Sequence, residues 1–212
     1  MVKYGYWYGL PLVLVAGGLI GFKLYIAGAL FLILAFLVLN FFRDPERRIP
    51  QAPEAVVSPA DGRIVQIVDE DAEGRPVRRV SVFMSPLDVH VNRAPIAGTI
   101  KEVRYEKGWF GIASRPEASV KNEQNIFTLE GPQGTVVVKQ IAGVLARRIV
   151  FWKAPGDVVK RGERVGLIKF GSRVDLALPP RTKVLVKVGD HVRAGSTIIA
   201  VTQTEAVATR PT

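Results

Sequence analysis

Long apolar runs fill the first 42 residues, whereas the rest of the chain breaks short apolar runs with turn residues. The runs at 4–22 and 24–42 are separated only by Lys23, and each is long enough to cross the ~30 Å hydrocarbon core of a bilayer as a helix. We therefore predict a hairpin of two close-packed membrane helices over residues 1–42. A re-entrant or interfacial hairpin stays open, because Lys23 at the tip has to reach water. Four glycines are predicted to let the helices approach closely: Gly17, Gly18, Gly21 and Gly28.

The charges that flank the apolar segment predict its orientation. Lys3 precedes the first run, and Arg43, Arg47 and Arg48 follow the second. Basic residues favour the cytoplasmic side of a membrane. We expect both ends of the hairpin, and the remaining chain, on the cytoplasmic face of the cell membrane. A cleaved signal peptide is disfavoured, because the two runs abut and no small-residue cleavage site follows the second.

After Pro50 the pattern becomes that of a β protein. Short runs rich in Val and Ile are cut by Gly, Pro and Asp, and no long helical period occurs. The runs predicted as strands are 62–68, 77–84, 98–103, 125–129 and 135–144. The sequence thus divides into a hydrophobic hairpin at 1–42 and a mainly β domain at 43–212, built as a barrel or sandwich.

Two internal echoes refine this expectation. SPADGRI at 58–64 is similar to APIAGTI at 94–100, and GDVVKRG at 156–162 is similar to GDHVRAG at 189–195. Each unit predicts a tight turn that leads into a strand. The units resemble pieces of the lipoyl/biotinyl β-barrel, in which a hairpin between the halves presents a reactive residue at its tip. Here that tip falls at Gly171-Ser172, and no lysine pair of the carrier kind stands there.

Composition limits the kinds of catalytic and metal site that the chain can form. The chain has no Cys and only two His, which excludes disulfides and thiol nucleophiles and disfavours a zinc site. After residue 42 there are 27 basic and 19 acidic residues. An excess of positive charge suits a phosphate-bearing partner, either nucleic acid or an anionic lipid surface. We favour lipid, because no nucleic-acid-binding motif is recognisable.

Five motifs, in this order and spacing, resemble the short, membrane-anchored phosphatidylserine decarboxylase proenzymes of the bacterial and archaeal type. They are FFRDP at 41–45, SPADG at 58–62, MSPLDVHVNR at 84–93, NEQN at 122–125 and FGSR at 170–173. The resemblance covers nearly the whole chain.

The resemblance implies self-cleavage between Gly171 and Ser172, giving a β chain of residues 1–171 and an α chain of residues 172–212. Ser172 would become a pyruvoyl group, the only cofactor expected, with no metal. That group would form a Schiff base with the serine headgroup of phosphatidylserine, or of its archaeal ether-lipid equivalent, and release CO2 to give phosphatidylethanolamine. The local sequence suits this chemistry, because a serine hydroxyl can reach the carbonyl of a preceding glycine held in a strained turn.

The resemblance also points to Asp61 and His90 for proton transfer. His can both take and give a proton near neutral pH, and a carboxylate partner would fix its tautomer. With Ser172 these residues form a predicted Asp-His-Ser set for self-cleavage. Larger family members carry a second His where this chain has Arg93, so His90 serves both steps or Arg93 binds an anion. His191 is predicted to be a surface strand residue.

Further candidates are expected to meet the lipid. The span 107–121 is predicted to be a mobile loop, and its Trp109 and Phe110 either dip into the membrane interface or belong to an ordinary loop. Three bases are candidates for the headgroup phosphate, although a solvated basic face is the simpler account of any single one: Arg147, Arg148 and Lys153.

Other functions stay open at this stage. One is a membrane-tethered lipoyl- or biotin-like carrier or adaptor without catalysis. Another is a Ser-Lys peptidase that uses Ser172 and Lys169, although this spacing puts the two side chains on opposite faces of a strand. Exposed sheet edges and the membrane hairpin also suggest a homodimer.

Overall fold

The protein is mainly β, with two long helices at its start. A computed structural model describes residues 1–72, 74–113, 118–144, 148–169, 171–180 and 182–202. The helices are α1 (Lys3–Gly21), α2 (Tyr25–Phe41) and the single-turn α3 (Ala118–Lys121). The strands are β1 (Ala55–Val57), β2 (Gly62–Ala72), β3 (Arg75–Met84), β4 (Val91–Arg93), β5 (Gly98–Glu106), β6 (Gln124–Gly131), β7 (Gly134–Ile141), β8 (Ile149–Phe151), β9 (Val158–Val159), β10 (Arg164–Ile168), β11 (Ser172–Leu178), β12 (Lys183–Val184), β13 (His191–Val192) and β14 (Ile198–Val201).

The strands form one large sheet and two small ones. The large sheet has the order β13-β2-β3-β11-β7-β6-β5-β9, and the small sheets have the orders β1-β14-β12 and β4-β10-β8. The five predicted strand runs are confirmed as β2, β3, β5, β6 and β7. Apolar side chains that alternate along these strands meet in one core, which includes Ile64, Val82, Phe127, Val138 and Leu176.

The internal echoes are confirmed as two equivalent turn-and-strand units. His191-Val192 pairs with Arg63 and Gly62, and Val158-Val159 pairs in the same way with Thr99 and Gly98. The backbone contacts repeat as well: the N–H groups of Gly189 and Gly156 donate to the carbonyls of Ile64 and Ile100, at 2.8 and 2.7 Å. Both turn glycines have left-handed φ angles, +98° for Gly189 and +94° for Gly156, which explains why glycine stands at each turn.

Helices α1 and α2 pack side by side and will be called the helix pair. A turn at Lys23 joins them, and the amide of Val2 donates to the carbonyl of Phe42 at 3.1 Å, so the pair begins and ends at the same place. Within the part of the chain that is described, no helix is both long and apolar enough to cross a membrane.

The predicted role of the glycines in helix packing is only partly right. A Cβ at Gly28 would lie 2.6 Å from Ile20, so this glycine does sit at the helix contact. No described residue lies within 4 Å of a Cβ at Gly17, Gly18 or Gly21, so the prediction is wrong for those three. Gly9 takes that role, since its Cβ would meet Leu39 at 2.5 Å. The hydrophobic run does not reveal which of its small residues face the partner helix.

The open end of the helix pair packs on the small sheet that contains β10. Phe41 and Phe42 form a second buried cluster with Leu167 of β10, and Tyr4 packs at its edge. The rings of Tyr8 and Phe42 stack with centroids 5.7 Å apart. These four aromatic residues, Tyr4, Tyr8, Phe41 and Phe42, will be called the root of the helix pair.

Candidate active site

Strand register places Asp61 and Ser172 at the same end of the large sheet, and His90 follows the last residue of β3 by six positions. Arg63 of β2, Phe83 of β3 and Arg173 of β11 lie in one row across neighbouring strands. Asp61 directly precedes β2, and Ser172 opens β11 opposite Met84, the last residue of β3. The loop at 85–90 then leads from Met84 to His90, whose carbonyl accepts the amide of Ile168 at 3.3 Å. Ser172 thus lies in the pairing of β11 with β3, and His90 follows the end of β3 after a short loop.

His90 is buried as a neutral base. Its side chain packs against the ring of Phe41, and only 2% of the residue is exposed. Nδ1 lies 2.9 Å from the carbonyl oxygen of Asp88. Because a carbonyl can only accept, Nδ1 carries the proton and Nε2 keeps a free lone pair. Burial lowers the pKa of His90 from 6.5 to about 4, so the ring is uncharged at neutral pH.

Ser172 is buried at the start of β11. None of its surface is exposed, and neither its Oγ nor Nε2 of His90 has a hydrogen-bond partner among the described residues. Buried polar atoms are nearly always paired, so these two unpaired atoms make Ser172 and His90 candidates for a nucleophile and a base. The prediction that a hairpin tip displays Ser172 is wrong. Strands β10 and β11 belong to different sheets, because each finds its partners elsewhere in the chain.

The peptide bond before Ser172 is held tightly. Gly171 has a left-handed φ of +57°, which glycine adopts without a steric penalty. Its carbonyl oxygen lies so close to Gly143 that a Cβ at position 143 would be 2.0 Å away. Asn122 supports this contact, since its Nδ2 donates to the carbonyl of the neighbouring Ala142 at 2.7 Å. The Gly171 carbonyl therefore lies against Gly143, and a side chain at position 143 would displace it.

Asp61 is engaged elsewhere than at His90. Its carboxylate accepts two hydrogen bonds from Nη2 of Arg47, at 2.8 and 3.0 Å, and a third from the amide of Ala194 at 2.8 Å. Burial raises the pKa of Asp61 in spite of these donors. The expected direct contact with His90 is replaced by the carbonyl of Asp88. The charge of Asp88 acts on both groups, since it raises the pKa of Asp61 and of His90.

A chain of buried amides behind the site was not anticipated from the sequence. Nδ2 of Asn125 donates to Gln140 at 2.9 Å, and Nε2 of Gln140 donates to Asn92 at 2.8 Å. Asn92 in turn contacts the sulfur of Met84 at 3.6 Å, opposite Ser172. Two of the three amides stand in the motifs: Asn92 belongs to MSPLDVHVNR at 84–93, and Asn125 belongs to NEQN at 122–125.

A second buried network lies beside Ser172. Arg173, which is 1% exposed, donates from Nε to Asp175 at 2.6 Å and from Nη2 to Ser81 at 2.8 Å. The hydroxyl of Ser119 donates to the same carboxylate at 2.7 Å. Charges this deeply buried are stable only when paired, so this network rigidifies the strand that begins with Ser172.

Arg93 is paired inside the domain, and His191 lies at its surface. Arg93 donates to Asp44 at 2.8 Å and to the carbonyl of Gly162 at 3.0 Å, so its guanidinium holds the FFRDP segment to the domain and is not free for a ligand anion. His191 is exposed on β13, which confirms the prediction of a surface residue.

The residues expected to meet lipid have different surroundings in the structure. Trp109 is 81% exposed, whereas Phe110 packs against the main core. Lys153 pairs with Glu163 at 2.6 Å, and Arg148 is exposed. Arg147 lies outside the described residues.

Lys169 does not face Ser172. Its ammonium lies over the rings of Tyr4 and Tyr8, 4.5 and 5.1 Å from their centroids, and 3.3 Å from the Tyr8 hydroxyl. This geometry removes the basis for a Ser-Lys peptidase. In the described ranges, no group of three or more His, Cys, Asp or Glu side chains is arranged to hold a metal ion.

Comparison with known proteins agrees with the motifs. The family model for phosphatidylserine decarboxylase matches residues 34–200. A phosphatidylserine decarboxylase proenzyme of Solibacter usitatus is 53% identical over 180 residues, which cover 83% of this chain and 86% of the relative. That of Salinibacter ruber is 52% identical over 173 residues, covering 78% and 75%. That of Carboxydothermus hydrogenoformans is 41% identical over 205 residues, covering 94% and 95%.

Proposed function

Since the chain belongs to the phosphatidylserine decarboxylase family, we propose that it cleaves itself after Gly171 and then decarboxylates phosphatidylserine to phosphatidylethanolamine. The observation that carries the proposal is the pair of unpaired buried atoms, Oγ of Ser172 and Nε2 of His90. One is a nucleophile and the other is a base in the required tautomer, and both belong to segments that begin at the same strand pairing.

Self-cleavage uses groups of this chain alone. Nε2 of His90 takes the proton of the Ser172 hydroxyl, and Oγ attacks the carbonyl carbon of Gly171. The C–N bond breaks, His90 returns the proton to the leaving nitrogen, and an ester joins the two residues. Loss of the Ser172 Cα proton then expels the Gly171 carboxylate and leaves a dehydroalanine. Water converts this residue to a pyruvoyl group and releases ammonia.

The surroundings of Ser172 fit such a group. The site is buried, so a ketone at position 172 would be shielded from bulk water. The ketone supplies the electron withdrawal that loss of CO2 from an amino acid requires. Strand β11 lies between β3 and β7, so the α chain stays bound to the β chain after the cut. His90 is the group proposed to return a proton to the product carbon, once its Nε2 has taken that proton from solvent.

Asp61 has an indirect part in this proposal. Its carboxylate ties Arg47, which follows the helix pair, to the amide of Ala194. We assign it the role of a positioning residue that holds the segment after the helix pair to the segment of Ala194.

Membrane attachment and the finer fold belong to the same proposal. Both faces of the helix pair carry exposed apolar side chains, such as Trp7, Phe22, Ile26 and Phe36, at 67–82% exposure. A helix that is apolar all round needs an apolar environment. Its basic flanks lie at the root, and this charge pattern supports the proposal that the β domain is on the cytoplasmic face. The two equivalent turn-and-strand units favour a lipoyl-like β barrel.

One experiment tests the proposal directly. Purified wild-type protein should give two bands on a denaturing gel, with masses that match residues 1–171 and 172–212, and the smaller chain should lack a free N-terminus and react with a hydrazine. Ser172→Ala should stay as one unreactive chain. Wild-type protein that remains uncut and unlabelled would instead favour a tethered carrier or adaptor module.

A further inference from the structure

Lys169 is a nearly buried cation without an anionic partner. The residue is 9% exposed, and within the described part of the chain its ammonium meets the faces of Tyr4 and Tyr8 and the Tyr8 hydroxyl. Among the described residues no carboxylate lies within 4 Å of it. Removing an ammonium group from water is costly unless a counter-charge is close. Cation–π contacts offset only a part of that cost.

The two tyrosines that hold Lys169, Tyr4 and Tyr8, also line a cavity. This cavity, of about 340 Å³, is bounded by Lys3, Tyr4, Trp7 and Tyr8. The ammonium of Lys3 lies 5.9 Å from the centroid of Tyr4 and is exposed. The ammonium groups of Lys3 and Lys169 therefore both lie over the ring of Tyr4.

The first turn of α1 adds further positive potential. Helix α1 begins at Lys3 with no side-chain cap and no acidic residue in its first turn. The free amides and the positive end of the helix dipole favour an anion there. Lys3 and the start of α1 thus present positive charge at the cavity, and Lys169 lies over two of the rings that line it.

We propose that the cavity at the start of α1, with Lys169 and Lys3, binds the phosphodiester of the phospholipid headgroup whose serine is decarboxylated at position 172. This inference rests on the proposed function. Lys169 directly follows Ile168, whose amide donates to the carbonyl of His90 at 3.3 Å, so a phosphate at Lys169 would lie near the backbone of the candidate base. The serine of the headgroup would extend from there toward the site. Because the cavity lies at the root of the helix pair, a lipid could stay in its bilayer while it is bound.

The chemistry favours the phosphate over the substrate carboxylate as the partner of Lys169. A cation beside the carboxylate would stabilise the charge that decarboxylation removes, which would raise the barrier. The phosphodiester keeps its charge throughout the reaction, so its contact with Lys169 anchors the substrate without opposing loss of CO2.

The test measures binding to the uncut Ser172→Ala protein by titration calorimetry. The probes are glycerophosphoserine, serine without the phosphate, and inorganic phosphate. Lys169→Met keeps the apolar stem and removes the charge, Lys169→Arg keeps the charge, and Lys183→Met removes an exposed lysine of β12 as a control. Thermal unfolding of each variant confirms that it is folded.

We expect Lys169→Met to weaken binding of glycerophosphoserine by about 10- to 100-fold, as for loss of a hydrogen bond to a charged group. Lys169→Arg should stay within a few-fold, Lys183→Met should match the parent, and binding of serine should be equal in all variants. Equal affinity of Lys169→Met and the parent for glycerophosphoserine would overturn the inference. Inorganic phosphate that binds as tightly as glycerophosphoserine would identify a site for free phosphate and would overturn it too.

Cleavage of the wild-type protein is scored separately. A cut, hydrazine-reactive wild type together with an unaltered Lys169→Met titration refutes this inference alone. An uncut wild type refutes the proposed function.

Discussion

The ring of Phe41 lies against the ring of His90, with centroids 4.1 Å apart and planes inclined by 35°. Phe41 is the last residue of α2, so the helix pair and the candidate base are in direct contact. The same helix end is tied to the loop before His90, because Arg43 donates to the carbonyl of Leu87 at 2.6 Å. The helix pair is therefore part of the environment that sets the chemistry of His90.

Removing the ring of Phe41 should raise the pKa of His90. Phe41→Ala opens His90 to water, so its pKa should move from about 4 toward 6.5. Self-cleavage needs neutral His90, and the pH below which it slows should rise by between one and two units. Cleavage rates of fresh precursor between pH 4 and 8 give this profile. Phe41→Leu should shift it less, and Phe36→Ala, on an exposed part of α2, should leave it unchanged. A Phe41→Ala profile equal to wild type would contradict the prediction.

The buried neutral His90 should also make stability depend on pH. Between pH 4 and 6.5 the unfolded chain protonates this residue and the folded chain does not. The unfolding free energy of the Ser172→Ala precursor should therefore fall as the pH drops from 6.5 to 4, by about 3 kcal/mol from this residue. Denaturant unfolding at several pH values measures the slope.

Comparison with the Ser172→Ala/His90→Asn double variant isolates the contribution of His90. Asp61 and the other acids titrate in both proteins, so they cancel in the difference. Equal slopes for the two proteins would show that His90 is not held neutral.

Gly143→Ala should block self-cleavage. The new methyl group would lie 2.0 Å from the carbonyl oxygen of Gly171, so the carbonyl that Ser172 attacks has to move. A displacement of about 1 Å can slow a positioned reaction by roughly 100-fold, and the precursor should accumulate on a denaturing gel. Gly17→Ala is the matched control, because nothing lies within 4 Å of its Cβ. Cleavage of Gly143→Ala at the wild-type rate would show that this contact does not position the carbonyl.

The sequence predicts local structure here better than it predicts contacts between distant segments. Runs of Val and Ile between turn residues predict β2, β3, β5, β6 and β7, because side-chain alternation and turn chemistry are properties of neighbouring residues. The repeated Gly-Asp turns are predicted for the same reason. The motifs identify Ser172 and His90 as candidates without showing what surrounds either residue.

The contacts that could not be predicted join residues that are far apart in the chain. Phe41 meets His90 across 49 positions, and Gln140 meets Asn92 across 48. The burial of Ser172 follows from β11 pairing with β3 and β7, a choice that local patterning does not encode. Asp61 was expected to pair with His90, but it pairs with Arg47 for a similar reason. The fold as a whole decides which hydrogen-bond donor lies next to this carboxylate.

The buried amide chain gives a last prediction that links stability to cleavage. Gln140→Met keeps the shape of the side chain but leaves Oδ1 of Asn92 and Nδ2 of Asn125 without their partner. Each buried group left unpaired costs about 1–3 kcal/mol, so the Ser172→Ala precursor should lose roughly 2–5 kcal/mol of unfolding free energy. Asn92 also contacts Met84 opposite Ser172, and self-cleavage in the otherwise wild-type chain should slow as well.

Gln51→Met is the control for this experiment. Gln51 is exposed and donates only to the carbonyl of Ile49, so its replacement should change stability by less than about 0.5 kcal/mol. Chemical denaturation and a gel time course measure the two effects separately. If Gln140→Met lost stability yet cleaved at the wild-type rate, the amide chain would support the fold without positioning Ser172. If it matched Gln51→Met in both measurements, the three amides would not act as a connected network, because a network loses more than one bond when its central member is removed.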